Sequence, residues 1–256
     1  MITALLDSDV LVYRIGFSTE DVDSNIAIWR LRTTIEDIVE RTDADAYRCF
    51  LTSEDKSNYR FDVDPTYKSN RKIEKPKHYH TLRNHMIKQH SAEVVFGMEA
   101  DDKLGIEQND STIICSNDKD MLQIPGKHYN IVKKELFEVT PTEGLQFFYK
   151  QILMGDNADF VQGIKGIGPK KANKIIDSLI NEWDIYTEVL SIYKKHHPED
   201  ALTRVIKAGQ LLKIKQSETE ELWQPPKDPR IDQDLNEPLR NSSEVMEFLS
   251  SLSIPN

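Results

Sequence analysis

Four acidic groups are spaced along the chain in a way that could hold metal ions: Asp7; Glu99, Asp101 and Asp102; Asp118 and Asp120; Asp156 and Asp159. Carboxylates forced together repel one another unless a cation lies between them. Their hard oxygens suit Mg²⁺ or Mn²⁺. Two such ions about 4 Å apart can orient an attacking water and stabilise the leaving oxygen of a phosphodiester. Any single pair has a plainer explanation, a solvated loop or a helix N-terminus, where Asp and Glu are also favoured. That explanation suffices for Asp21 and Asp23 and competes at Asp102. It does not account for four groups at four element ends.

The last pair leads into LMGDNADFVQGIKGIGPKKANKII, residues 153–176. Gly163, Gly166 and Gly168 allow backbone to approach a ligand closely, and Pro169 falls where a helix should begin. The helix start presents free N–H groups and a positive dipole end. Lys165, Lys170, Lys171 and Lys174 add positive charge, with no acid between 163 and 174. Such a surface fits a phosphodiester backbone without reading bases. A tight turn between two helices is the plainer alternative. A dinucleotide loop is excluded, because the order is GxxGxG and no strand precedes it.

A second basic stretch reads Tyr67-Lys68-Ser69-Asn70-Arg71-Lys72. Lys68 and Arg71, one helical turn apart, could share a face and clamp phosphate oxygens as charge develops. Tyr67 or Tyr59 could stack on a terminal base. An exposed basic loop is the competing reading.

These residues need elements to position them. Residues 1–12 form an apolar run bounded by acids and are expected to be a buried first strand, with Asp7 at or near its end. Ile28, Leu31, Ile35 and Ile38 predict a helix over 24–40. Further strands are expected at 46–52, 93–96, 112–115 and 129–133, with helices over 79–90 and opening at Glu99. Alternation of strands and helices predicts an α/β fold with a mostly parallel central sheet flanked by helices. The first three acidic groups then fall at carboxyl ends of strands, which face one crevice.

After Val139 only helices are expected. Thr140, Pro141 and Glu143 make a good helix start, and later helices are placed at 186–193 and 202–212. The expected organisation is an α/β core at 1–139 with a clamp at 56–90, a helical DNA-binding subdomain at 140–223, and a tail at 224–256. The tail opens with Pro225, Pro226 and Pro229 and carries Val245, Phe248, Leu249 and Leu252 at helical spacing.

Bulk composition narrows the function classes. With 256 residues and a net charge of −10, the chain is not a simple DNA-coating protein, which would be basic throughout. The charge is partitioned: residues 65–90 hold seven Lys or Arg against the single Glu74, and 204–215 hold four basic residues and no acid. Cys49 and Cys115 are flanked by apolar residues, as expected of free thiols in a reducing compartment. Histidine and cysteine spacings match no zinc site. No apolar run is long enough to span a bilayer, and Asp7 and Asp9 interrupt any signal-peptide pattern, so a cytoplasmic location is expected.

As an ordered set, LLDSD, YRFDVDPTYKSNRK, GMEADD, CSNDKD and LMGDNADFVQGIKGIGPKKA resemble the 5′-nuclease family of flap endonucleases and bacteriophage 5′→3′ exonucleases, the phage branch most of all. The resemblance implies a PIN-like α/β core followed by a helix-three-turn-helix at 163–174, whose hairpin carbonyls hold a K⁺ ion in many members. It implies a first metal on Asp7, Glu99, Asp101 and Asp118, and a second on Asp120, Asp156 and Asp159. Asp118 or Asp120 would lie close to both and, with Lys68 and Arg71, carry the chemistry. One departure concerns an Asp that many relatives carry ahead of the Tyr59-Arg60 pair. Here Ser53, Glu54 and Asp55 stand there, and Asp55 or Asp9 could complete the site.

The function implied is a metal-dependent 5′→3′ exonuclease with structure-specific flap endonuclease activity in phage DNA replication, working in the host cytoplasm. Its partners would be DNA with 5′ ends, gaps or flaps, and a replication protein bound through the tail. A PIN-type ribonuclease acting on RNA or RNA–DNA hybrids is one alternative, weakened by the glycine hairpin that PIN domains usually lack. A catalytically weak DNA-binding module is another, weakened by its needless negative charge. Only 31 positions separate Lys68 from Glu99 and Pro76 interrupts them, so an open clamp is expected instead of a closed arch.

Overall fold

A computed structural model describes residues 1–71 and 74–229. Lys72 and the tail helix expected at 241–252 lie outside the described residues. The chain divides into two units, Met1–Gln224 and Pro225–Asn256, and the central sheet belongs to the first.

Six strands form this sheet in the order β3-β2-β1-β4-β5-β6. They are β1 (Thr3–Asp7), β2 (Ala46–Thr52), β3 (Glu93–Val95), β4 (Thr112–Ser116), β5 (Gly126–Asn130) and β6 (Glu135–Val139). All neighbours are parallel except β5 and β6, which form an antiparallel hairpin. From β1 the sheet grows one way through β2 and β3, and then the other way from β4. The gap between β1 and β4 is therefore the topological switch point, where ligands bind in open α/β sheets.

Helices α1 (Ser8–Ser18), α2 (Ser24–Thr42) and α4 (Tyr79–Gln89) cover one sheet face around Leu6, Leu11, Leu31, Ile35, Leu82 and Met86. On the other face α5 (Ala100–Glu107) packs with Leu5, Phe50, Leu104, Ile114 and Met121. The short α3 (Arg60–Val63) lies between β2 and α4. A third cluster belongs to α6 (Pro141–Met154), α7 (Pro169–Ile176), α8 (Glu182–His196) and α9 (Ala201–Leu212), and Tyr67 is built into it. A two-stranded hairpin, β7 (Gly155–Asp156) with β8 (Val161–Gln162), joins α6 to the glycine turn.

Three expectations need correcting, the first being that only helices follow Val139, since the chain there also turns through the β7–β8 hairpin. The first strand stops at Asp7, because its side chain accepts the Val10 N–H and caps α1; Val10 to Val12 are helical. The strand expected at 129–133 lies earlier, at Gly126–Asn130, and its partner β6 was not expected. β6 is an edge strand with Leu136 and Phe137 exposed, so it lacks the alternation that marks a half-buried strand.

Candidate active site

The switch point gathers the acidic residues. Asp7 ends β1 and Ser116 ends the neighbouring β4. The Ser116 hydroxyl donates to Asp7 Oδ2 at 2.6 Å, while Asp7 Oδ1 takes the Val10 N–H at 3.1 Å. Burial pushes the Asp7 carboxyl up to about 7 despite these bonds, with Asp9 and Asp118 adding repulsion. Asp101, in the first turn of α5, is also raised, by burial and then by the charges of Asp7, Asp118 and Glu99; Lys68 offsets part of this. Asp7, Asp9, Glu99, Asp101 and Asp118 line one cleft of about 520 Å³, with Lys68 and Arg71 on its wall.

A second acidic group follows from a short 3₁₀ turn, Lys119–Gln123. Asp118 caps it by accepting the Asp120 N–H at 2.9 Å. Asp120 Oδ1 accepts from Gln151 Nε2 at 2.7 Å, and burial followed by the Asp118 charge pushes its carboxyl up to about 7. Asp156 is 5% exposed and holds the hairpin tip, accepting the Ala158 N–H at 2.7 Å and the Asp159 N–H at 3.3 Å. Lys119, which sequence reasoning missed, bridges this group: its Nζ lies 2.9 Å from Asp156 and 3.9 Å from Asp120.

The basic stretch enters the same site already paired. Lys68 Nζ forms an ion pair with Glu99 and lies 3.6 Å from Asp159. Arg71 Nη2 bonds Asp159 Oδ1 at 2.5 Å. Burial alone would raise the Asp159 carboxyl, but Lys68 and Arg71 outweigh it and hold the group below the usual range. Lys68 and Arg71 thus lie beside the acids, with carboxylates where phosphate oxygens were expected.

Three expected roles change. Asp102 does not reach the cleft. It is fully buried, paired with Arg60 by bonds of 2.6 and 2.9 Å, and also takes the N–H groups of Glu99 at 3.0 Å and Lys215 at 3.1 Å. These contacts leave it a structural anchor in place of a metal ligand. Tyr67 cannot stack on a base, since it is 3% exposed; its hydroxyl instead donates to Asp159 at 2.7 Å, with Glu99 at 3.3 Å. Gly163 faces inward, where an added Cβ would lie 2.1 Å from the Met154 backbone, so it serves chain crossing and not ligand approach.

Gly166 and Gly168 do fit a close approach. Gly166 has φ +85°, a Cβ on Gly168 would meet only open space, and Gly168 precedes α7. Lys165, Lys170, Lys171 and Lys174 are exposed around this turn. Lys171 Nζ also bonds the Gly166 carbonyl at 2.7 Å. Of the residues that could complete the first acidic group, Asp9 lines the cleft. Asp55 instead closes a local turn on the Ser57 N–H at 3.0 Å.

No family model matches the chain. A curated 5′-3′ exonuclease of Buchnera aphidicola subsp. Schizaphis graminum is 27% identical over 215 residues, 73% of this chain and 74% of that protein. A second, from Buchnera aphidicola subsp. Acyrthosiphon pisum, is 32% identical over 114 residues, 38% of this chain and 39% of its own length. A bacteriophage T5 flap endonuclease variant, solved with DNA and metal ions, shares the fold with a TM-score of 0.58 and 18% identity, over 83% of this chain and 89% of that one. These likenesses support the resemblance to the 5′-nuclease family.

The resemblance to the 5′-nuclease family implies divalent ions, and the residues can be tested for fit. Among the described residues no three carboxylates, imidazoles or thiols close into a ready-made cage. The donors that are present are all carboxylate oxygens, the set that Mg²⁺ and Mn²⁺ favour. Asp7, Asp101 and Asp120 hold their protons well above the usual range because burial and like charge are only partly offset by neighbouring donors and lysines. Added positive charge is what such a group lacks, so the residues fit.

Proposed function

We propose that this chain is a divalent-metal-dependent 5′→3′ DNA exonuclease with structure-specific flap endonuclease activity. The observation that carries the reading is the meeting of Asp7, Glu99, Asp101 and Asp118 at the switch point, beside Lys68 and Arg71. In this reading the first four hold one ion, and Asp120, Asp156 and Asp159 a second, as Mg²⁺ or Mn²⁺. Bound there, the ions supply charge for a phosphate and an acidified water.

The chain's own groups then have distinct tasks. Lys68 and Arg71, released from Glu99 and Asp159, hold phosphate oxygens by charge-assisted hydrogen bonds. Lys165, Lys170, Lys171 and Lys174 grip the duplex backbone around the glycine turn, which could also seat K⁺. The clamp stays open, admitting a 5′ end, gap or flap from the side. Pro76 packs against Gly16 of α1, tying this segment to the core. The work fits 5′-end processing during DNA replication in a cytoplasm, that of the host if the source is a phage, with the tail available to a replication protein.

Asp118→Ala tests the reading on end-labelled duplex in Mg²⁺. Removing this ligand also removes repulsion, so cleavage should fall by orders of magnitude while DNA affinity holds or rises. Loss of affinity in step with cleavage would overturn the assignment.

A further inference from the structure

The tip of the β7–β8 hairpin holds a conformation that its sequence does not favour. Phe160 has φ +61° and the residue is 44% exposed. Glycine or asparagine adopts this angle readily, whereas a bulky side chain there is a genuine outlier. Exposure adds a second unfavourable term, since the ring gains little from burial. The tip is not slack: Lys68 N–H bonds the Asp159 carbonyl at 3.0 Å, and Asn70 Nδ2 bonds the Asn157 carbonyl at 2.5 Å. Strain held this firmly beside an active site is a marker of function.

The ring lines a groove of its own, separate from the acidic cleft. Phe160 follows Asp159 directly, so their Cα atoms are about 3.8 Å apart. It forms one wall of a groove of about 210 Å³ with Thr66, Gln162, Arg204 and Lys207. Both cations are already matched, Lys207 with Asp64 at 2.7 Å and Arg204 with Asp200 at 2.8 Å. The groove is therefore electrically balanced, and an aromatic face is its main offering. A flat ring with amide and hydroxyl neighbours, one residue from the acidic site, suits a nucleobase out of its duplex.

We propose that Phe160 is a stacking platform for one unpaired base held in this groove, next to but outside the acidic cleft, giving preference for substrates with unpaired 5′ nucleotides. This inference rests on the nuclease reading above. Stacking is tolerant of sequence, and a balanced groove adds little salt dependence. Both properties separate it from the lysines around the glycine turn.

The test uses the full chain and a duplex whose first unpaired 5′ base is 2-aminopurine, with Ca²⁺ replacing Mg²⁺ to limit cleavage. The wild-type chain should quench the fluorescence. Phe160→Gly, which accepts the positive φ, should abolish the quench and weaken overhang binding about tenfold. Its affinity for blunt duplex should stay unchanged and its Tm should not fall. Phe160→Trp should keep both quench and affinity. An unchanged quench and overhang-to-blunt ratio in Phe160→Gly, or a Phe160→Leu that matches wild type, would overturn the proposal. So would equal losses on both DNAs. If the wild-type chain binds and cuts DNA but that ratio does not move, only this inference falls; if it neither binds nor cuts, the nuclease reading falls with it.

Discussion

Ser116 Oγ donates a 2.6 Å hydrogen bond to Asp7 Oδ2 across the junction of two parallel strands. The bond favours the ionised carboxylate, in opposition to the burial that pushes Asp7 up to about 7. Ser116→Ala removes it. A hydrogen bond to a charged group contributes about 1.5–3 kcal/mol, equivalent to roughly one to two pH units. The acidic limb of the pH–rate profile in saturating Mg²⁺ should move upward, by less than this where the ion itself holds Asp7 ionised. An unmoved profile would show that Asp7 does not control the reaction.

The metal-free chain should lose stability as pH rises. Asp7 and Asp120 have folded values of about 7 against an ordinary 3.8, so the folded state binds their protons more tightly than the unfolded state. Their contribution is fully present below about 4 and is lost as pH climbs through about 7. Melting in EDTA should therefore show a falling Tm between pH 5 and pH 8, after allowance for other groups with a titration of Asp7→Asn. Mg²⁺ should raise Tm more at pH 8 than at pH 5, since binding must displace protons at the lower pH.

Arg60 and Asp102 form a fully buried pair, and Arg60 also donates to the carbonyls of Leu211 and Lys213 at 2.8 Å each. Arg60→Met leaves the carboxylate without its partner and should destabilise the chain by about 3–5 kcal/mol in urea unfolding. Arg60→Met with Asp102→Leu should recover much of the loss. A single substitution without effect would mean that the pair is not intact in solution.

Lys170 and Lys171 stand at the start of α7 and are exposed. Replacing both by Ala removes up to two phosphate contacts, so the slope of log affinity against log salt should shrink by up to about 2. Sequence preference should not change. The measurement is a salt titration of duplex binding, and an unchanged slope would turn this helix away from DNA.

What could be read from the sequence was local. Strand β2 was expected at 46–52 and runs Ala46–Thr52, because β-rich residues there are bounded by polar ones. The start of α6 was legible because Thr140 and Glu143 satisfy each other's neighbouring N–H groups within one turn. Acids at element ends were visible for the same reason, since caps and turns are short-range features. Tertiary structure decided which acids meet. Asp101 and Asp102 are adjacent, but successive helical side chains point about 100° apart. One therefore lines the cleft, while the other meets Arg60, 42 residues away, and Lys215, 113 residues away. Tyr67 looked like a ligand-facing aromatic until α6 to α9 closed a hydrophobic cluster around it. Phe160 carried no sequence signal at all. Its exposure and its positive φ arise only once Asp159 is held by the basic loop and the chain must turn back into β8.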